Sequence, residues 1–181
     1  MKRGLVLALC LFAVPARASD ADTLQRLRAD LLGKQSATEV LTHWCADLGL
    51  AKPAVIKALR AHAPPKPASR QIRRQLGAGA GETIGYRKVQ LVCGSHVLSQ
   101  ADNWYRPGKL TAAMNRQLDT GDTPFGAVVR PLDFHRKTLA VREHPHPGTI
   151  LEVKALLISA AGTPFSLVVE DYQRDLLAPR H

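Results

Sequence analysis

Apolar residues at the start of the chain recur with the period of a helix. Leucines follow that spacing along residues 22–33, and the letters S-A-T-E at 36–39 form a capping-box pattern, so two helices are predicted here. A third helical pattern lies at 110–118. Residues 54–62 fit either a strand or a helix. The prolines at 64, 65 and 67 predict a loop, and the glycines at 77, 79 and 81 predict another.

Further along the chain the apolar period changes to two, which is typical of strands. Residues 86–93 and 97–105 predict one hairpin, and residues 150–158 and 164–172 predict a second. We expect the second hairpin to lie next to the strand that bears Arg87. Because helices come first and hairpins dominate later, the pattern favours an α+β fold with an antiparallel sheet.

The first eighteen residues have the three-part layout of a secretory signal peptide. Lys2 and Arg3 precede an apolar run at 4–15, and Ala16-Arg17-Ala18 supplies small residues for cleavage. The run is shorter than the ~20 residues needed to cross a bilayer. We therefore expect a signal peptide at 1–18 and a single mature domain at 19–181. The mature protein would be periplasmic or secreted, with no membrane association; an uncleaved anchor is the alternative.

The chain carries a formal charge of +10. Its basic residues are spread along the sequence and aromatic residues make up only 5%, so we expect no nucleic-acid partner. A positive field that attracts small organic anions accounts for the charge more simply.

Removal of the signal would leave two cysteines, Cys45 and Cys93. In an oxidising compartment they could form a disulfide. Free cysteines are also among the most buried residues of proteins. The sequence does not choose between one disulfide and two buried thiols.

Arg87 is the most informative polar residue, because it shares a predicted strand face with Val89 and Leu91. A buried guanidinium is costly unless an anion pairs with it. Arg87 is therefore either an anion clamp inside a cavity or an arginine that reaches solvent from a strand end. Glu170 and Asp171 end the last apolar strand; one of them must face inward, and the pattern does not say which.

The segment His144-Pro145-His146-Pro147 invites comparison with metal sites. Two histidines are too few for a zinc site without further ligands, and the prolines suggest an exposed loop. We therefore expect no metal site. The chain also lacks a G-x-S-x-G nucleophile motif and the G-x-G-x-x-G spacing of dinucleotide sites.

Four segments, in this order, resemble segments of the bacterial chorismate pyruvate-lyase family. They are Q-S-A-T-E at 35–39, G-Y-R-K-V-Q-L at 85–91, D-T-P-F-G at 122–126 and A-G-T-P-F-S-L-V-V-E at 161–170. The similarity covers most of the predicted mature chain. It implies an α+β, chorismate lyase-like fold with an antiparallel sheet, helices packed on one side and an internal ligand pocket. Ligand-binding domains of some transcription regulators share that fold.

The resemblance also implies an activity and a site. The family eliminates pyruvate from chorismate to give 4-hydroxybenzoate, a carbon-oxygen lyase reaction that needs no cofactor. By position, Arg87 matches the arginine that binds the ligand carboxylate, and Glu170 matches the glutamate near the ring hydroxyl. These two would be the catalytic residues. Ala37 and Phe125 match two further substrate-binding positions.

Export conflicts with this substrate, because chorismate is made and used in the cytoplasm. Two functions therefore stay open: a lyase acting on chorismate or a related cyclic carboxylate, and an exported non-catalytic binding protein. In both cases we expect a monomer whose partner is a small aromatic or cyclohexadienyl carboxylate.

Overall fold

A computed structural model describes residues 19–34, 36–61 and 63–177, so the predicted signal peptide lies outside the described residues. The helices are α1 (Asp20–Gly33), α2 (Ala37–Asp47), α3 (Arg70–Leu76), α4 (Ala112–Thr120) and α5 (Phe125–Val128). The strands are β1 (Ile56–Arg60), β2 (Gly85–Cys93), β3 (His96–Tyr105), β4 (His135–Glu143), β5 (Thr149–Ile158) and β6 (Pro164–Gln173). Within those ranges, every helix is too short or too polar to cross a bilayer.

The six strands form one antiparallel sheet in the order β1-β2-β3-β6-β5-β4. Both predicted hairpins are confirmed: β2 pairs with β3, and β5 pairs with β6. The expectation that the second hairpin lies next to the strand of Arg87 is wrong. β1 occupies the free edge of β2, so β6 joins the sheet through β3, and Arg87 and β6 are separated by one strand.

Four helices cover one face of the sheet and enclose the main core, as the α+β, chorismate lyase-like fold requires. The helices α1, α2, α4 and α5 bury their apolar sides against β2, β3, β5 and β6. Ser36 begins α2 as predicted, and its hydroxyl accepts a hydrogen bond from the Glu39 amide at 3.4 Å. The predicted fold class is confirmed.

The short helix α3 lies on the opposite face, between the two predicted loops, where the sequence pattern predicted no element. Ser69 caps its start, and Gly77 ends it in the left-handed conformation (φ 62°). Leu76 packs against Trp104 and Leu167. Polar residues fill most of this helix, so no apolar period marked it in the sequence.

A disulfide joins Cys45 of α2 to Cys93 at the end of β2, with 6.2 Å between their Cα atoms. Both residues are fully buried. The structure therefore contains the disulfide and not two free thiols, and the bond attaches α2 covalently to β2.

Candidate functional site

A small cavity of about 40 Å³ lies between the sheet and the start of α2 and α5. Three of the residues implied by the resemblance line it: Ala37, Phe125 and Glu170. Arg87 is not among the lining residues. It lies on the same face of the sheet and pairs across the strands with Asn103, which does line the cavity.

The structure also decides which acid at the end of β6 faces inward. Glu170 is buried beneath the helices, with 5% of its surface exposed. Asp171 points to the opposite face, as strand alternation demands.

Glu170 is held in a buried network that the sequence did not indicate. Its Oε2 atom accepts a short hydrogen bond from Nη2 of Arg136 and a second, of 2.9 Å, from the Tyr172 hydroxyl. Burial by itself would lower the pKa of Arg136, but the charge of Glu170 raises it above its ordinary value. Burial also raises the pKa of Tyr172 well above its ordinary value. The arginine therefore stays charged, and the tyrosine stays a hydrogen-bond donor.

Two buried arginines keep donor atoms without partners. Nε and Nη2 of Arg87, and Nε of Arg136, are inaccessible to water and have no hydrogen-bond acceptor among the described residues. Burial lowers the pKa of Arg87, and the nearby charge of Arg60 lowers it further. Arg60 itself is engaged, since it donates to the Leu118 carbonyl at 2.8 Å. Buried unpaired cations are costly, so Arg87 is the strongest candidate for binding an anion.

Aromatic side chains cluster beside the cavity, and two of them, Phe125 and Phe134, line it. The ring of Phe125 lies 5.5 Å from that of Tyr105 and 6.4 Å from that of Phe165. The Tyr105 ring covers Gly85, where a Cβ atom would come within 2.6 Å of it. Such surfaces accept flat apolar groups and contribute through ring–ring contacts.

The cavity shares one lining residue, Thr38, with a groove of about 420 Å³. Close by, Gly126 packs so tightly against the start of α2 that an added Cβ would lie 3.3 Å from the Ser36 hydroxyl. The side of the cavity at Thr38 therefore adjoins a larger space from which a ligand could enter.

Arg136 is the principal site residue that sequence reasoning missed. It lies on β4, an edge strand whose other residues are mostly exposed or half-buried, so no apolar period surrounds it. Its pairing with Leu157 on β5 brings it to the same face as Glu170. Only the register of three strands shows this, and a single sequence carries no signal for it.

Comparisons with known proteins bear on both the fold and the family. No protein-family model matches the chain. The effector domain of PhnF from Mycobacterium smegmatis aligns with a TM-score of 0.57 and 10% identity, covering 78% of this chain and 90% of that one. A possible transcriptional regulator, YydK from Bacillus subtilis, aligns with a TM-score of 0.49 and 12% identity over 70% of this chain. The match spans only 61% of the YydK chain.

The molecule is thus an α+β protein of the chorismate lyase-like fold, which it shares with the PhnF effector domain. A curated relative defines the family more narrowly. The uncharacterized protein y4mC of Sinorhizobium fredii is 42% identical over 179 residues, covering 85% of this chain and 75% of the relative. The chain belongs to the same family as y4mC.

Proposed function

We propose that the protein binds a small aromatic carboxylate between the sheet and the helices α2 and α5. The observation that carries this proposal is the set of buried donor atoms without partners on Arg87 and Arg136. A carboxylate is the group that pairs best with a guanidinium, through two parallel hydrogen bonds.

The positions of the two arginines suggest which kind of ligand fits. Arg87 lies on β2 and Arg136 on β4, and the strands β3, β6 and β5 lie between them in the sheet. A carboxylate would pair with Arg87. A polar ring substituent at the far end would accept from Nε of Arg136 and donate to Glu170. A benzoate with a para hydroxyl group has this arrangement.

The site has to enlarge before such a ligand enters. A cavity of about 40 Å³ has room for about one water molecule. Opening at Thr38, the residue that lines both spaces, would connect the cavity to the groove. Movement of the Phe125 ring would extend the cavity past Asn103 toward Arg87.

The environment of Glu170 favours binding over catalysis. A carboxylate that assists proton transfer needs an oxygen within hydrogen-bond reach of the proton that it takes. The Oε2 atom of Glu170 is instead occupied by two donors of the protein itself, Arg136 and the Tyr172 hydroxyl. The lyase reaction stays the second candidate, because Glu170 and Phe125, both implied by the resemblance, line the same cavity.

We also propose that the protein acts in the periplasm or outside the cell. The signal-like segment at 1–18 and the buried Cys45–Cys93 disulfide both support an oxidising destination. Mass spectrometry of the protein from its native host should find an N-terminus at Ser19. Recovery of a soluble cytoplasmic form that starts at Met1 would contradict export.

Calorimetric titration with three matched ligands tests the binding proposal. We expect 4-hydroxybenzoate to bind more tightly than benzoate, which lacks the hydroxyl group, and than 4-hydroxybenzamide, which lacks the charge. Arg87→Ala should weaken 4-hydroxybenzoate binding by ~2–3 kcal/mol, or about 30–150-fold, since a charge-assisted pair is lost. The same variant should bind the amide as the wild type does.

Arg74→Ala is the matched control, because it removes one exposed positive charge on the other side of the sheet. It should leave affinity unchanged. Equal losses in both arginine variants, or no binding of any benzoate, would refute the proposal. Incubation with chorismate separates the two functions: pyruvate release by the wild type that Glu170→Gln abolishes would establish the lyase.

A further inference from the structure

The histidine-containing turn between β4 and β5 meets two carboxylates on the face of the sheet opposite the cavity. His146 lies in the turn, while Glu152 on β5 and Asp171 on β6 are directly paired across the strands. One ligand atom from each of the three side chains lies within 4.8 Å of the other two. The sequence showed the histidines without further ligands; the fold brings two carboxylates to one of them.

The hydrogen bonds around Glu152 and Asp171 do not fully compensate the negative charges of the two carboxylates. Oδ1 of Asp171 is buried and has no partner within the part of the chain that the structure describes. Glu152 is 8% exposed, and two basic side chains approach it: Arg142, 3.4 Å from Oε1, and His146, 4.0 Å from Oε2. Like charges placed directly opposite on neighbouring strands are destabilising. Burial raises the pKa of Asp171, and the Glu152 charge adds to that effect.

We propose that His146, Glu152 and Asp171 form a binding site for a divalent transition-metal cation of the zinc class. One imidazole nitrogen and two carboxylate oxygens are a ligand set that Zn²⁺ accepts in proteins. A hard cation such as Mg²⁺ prefers an all-oxygen shell. The imidazole nitrogen of His146 therefore favours Zn²⁺ over Mg²⁺ at this site.

The arrangement needs only a modest adjustment to close around an ion. Zinc–ligand distances are about 2.0–2.2 Å, so the three ligand atoms must approach one another before all of them can bind one ion. The carboxylates stand on paired strands, while the His146 side chain is 63% exposed and has room to turn toward them. Arg142 approaches Oε1 of Glu152, and His146 approaches Oε2. One carboxylate oxygen can thus bind the metal while the other keeps its arginine, a common outer-shell arrangement.

A bound ion would attach the β4–β5 turn to β6 and offset the negative charge of the carboxylate pair. This site is on the other side of the sheet from Arg87 and Glu170. It therefore does not depend on the proposed binding of an aromatic carboxylate, and the two proposals can fail separately.

The test is titration of the untagged, metal-free protein with Zn²⁺, and separately with Mg²⁺, followed by calorimetry and thermal unfolding. We expect one Zn²⁺ per chain and a rise in Tm of about 5–10 °C at a hundredfold excess over Kd. Mg²⁺ should have little effect. His146→Ala should weaken zinc binding at least about tenfold, as loss of a ligand does at least as much as loss of an outer-shell group.

His144→Ala is the control, because it removes a histidine from the same turn that is not part of the cluster. It should keep zinc affinity within about twofold of the wild type. Asp171→Asn tests a second ligand with a side chain of nearly the same shape and should also weaken binding. Absence of stoichiometric zinc binding, equal losses in His144→Ala and His146→Ala, or wild-type affinity in both His146→Ala and Asp171→Asn would overturn the proposal.

Discussion

The Cys45–Cys93 disulfide should provide a large share of the stability of this protein. It closes a loop between residues 48 positions apart in the sequence. For a loop of that length the chain-entropy expression predicts a loss of ~4 kcal/mol when the bond is broken. Domains of this size are stable by only about 5–15 kcal/mol. Both sulfur atoms lie in the core, so the reduced thiols would stay packed and the loss would come mainly from the unfolded chain.

Urea unfolding of the oxidised protein, the reduced protein and the double variant Cys45→Ser, Cys93→Ser measures this contribution. With a slope of about 1–3 kcal/mol per molar urea, the midpoint should fall by roughly 1–4 M on reduction. The double variant should unfold at a midpoint at or below that of the reduced protein, because it places two hydroxyls in an apolar site. Adding reductant to the double variant should change nothing further.

Two results would refute this reasoning. The first is an unchanged urea midpoint after complete reduction. The second is a thiol titration of the unfolded, unreduced protein that finds both cysteines free. Either would mean that helix α2 is held to the sheet by packing alone.

Two further predictions concern charged groups. Arg136→Met should destabilise the fold by ~3–5 kcal/mol, because Glu170 is left buried without its partner. Adding Glu170→Gln to this variant should restore part of the lost stability. Denaturant unfolding of the single and double variants measures the difference. The second prediction is a pH effect. The hydrogen bond from Arg106 lowers the pKa of Glu82 below its ordinary 4.5. The stabilisation that the Glu82–Arg106 pair provides is therefore complete above about pH 4.5 and is lost as the pH falls through the lowered pKa of Glu82. Urea midpoints measured from about pH 6 to pH 3 should fall less steeply in Glu82→Gln, and an identical slope would contradict the prediction.

Much of the fold could be predicted from the sequence because burial leaves a local pattern on each main strand. β2 alternates along much of its length, whereas β5 and β6 are apolar runs with buried residues on both faces, and turn residues mark both hairpins. The helices that cover the sheet carry an apolar stripe, and Ser36 marks the start of α2. Fold class, hairpins and the position of Arg87 on a buried strand face are therefore local properties of the chain.

The sequence could not decide properties that depend on which strands become neighbours. Local periodicity did not decide between Glu170 and Asp171, because both residues fit the same alternation. The pairing of Cys45 with Cys93 likewise required the packing of α2 on β2. The strand order β2-β3-β6 could not be predicted from local sequence either, because it depends on which edge of each hairpin is free to pair.

The residues of the two proposed sites depend even more strongly on which strands become neighbours. Arg136 meets Glu170, and His146 meets Glu152 and Asp171, only after β4, β5 and β6 take their register in one sheet. Side-chain chemistry and local period are properties of short segments, and the sequence determined those. Long-range pairing of strands selects which charges share a face, and only the tertiary structure decided that.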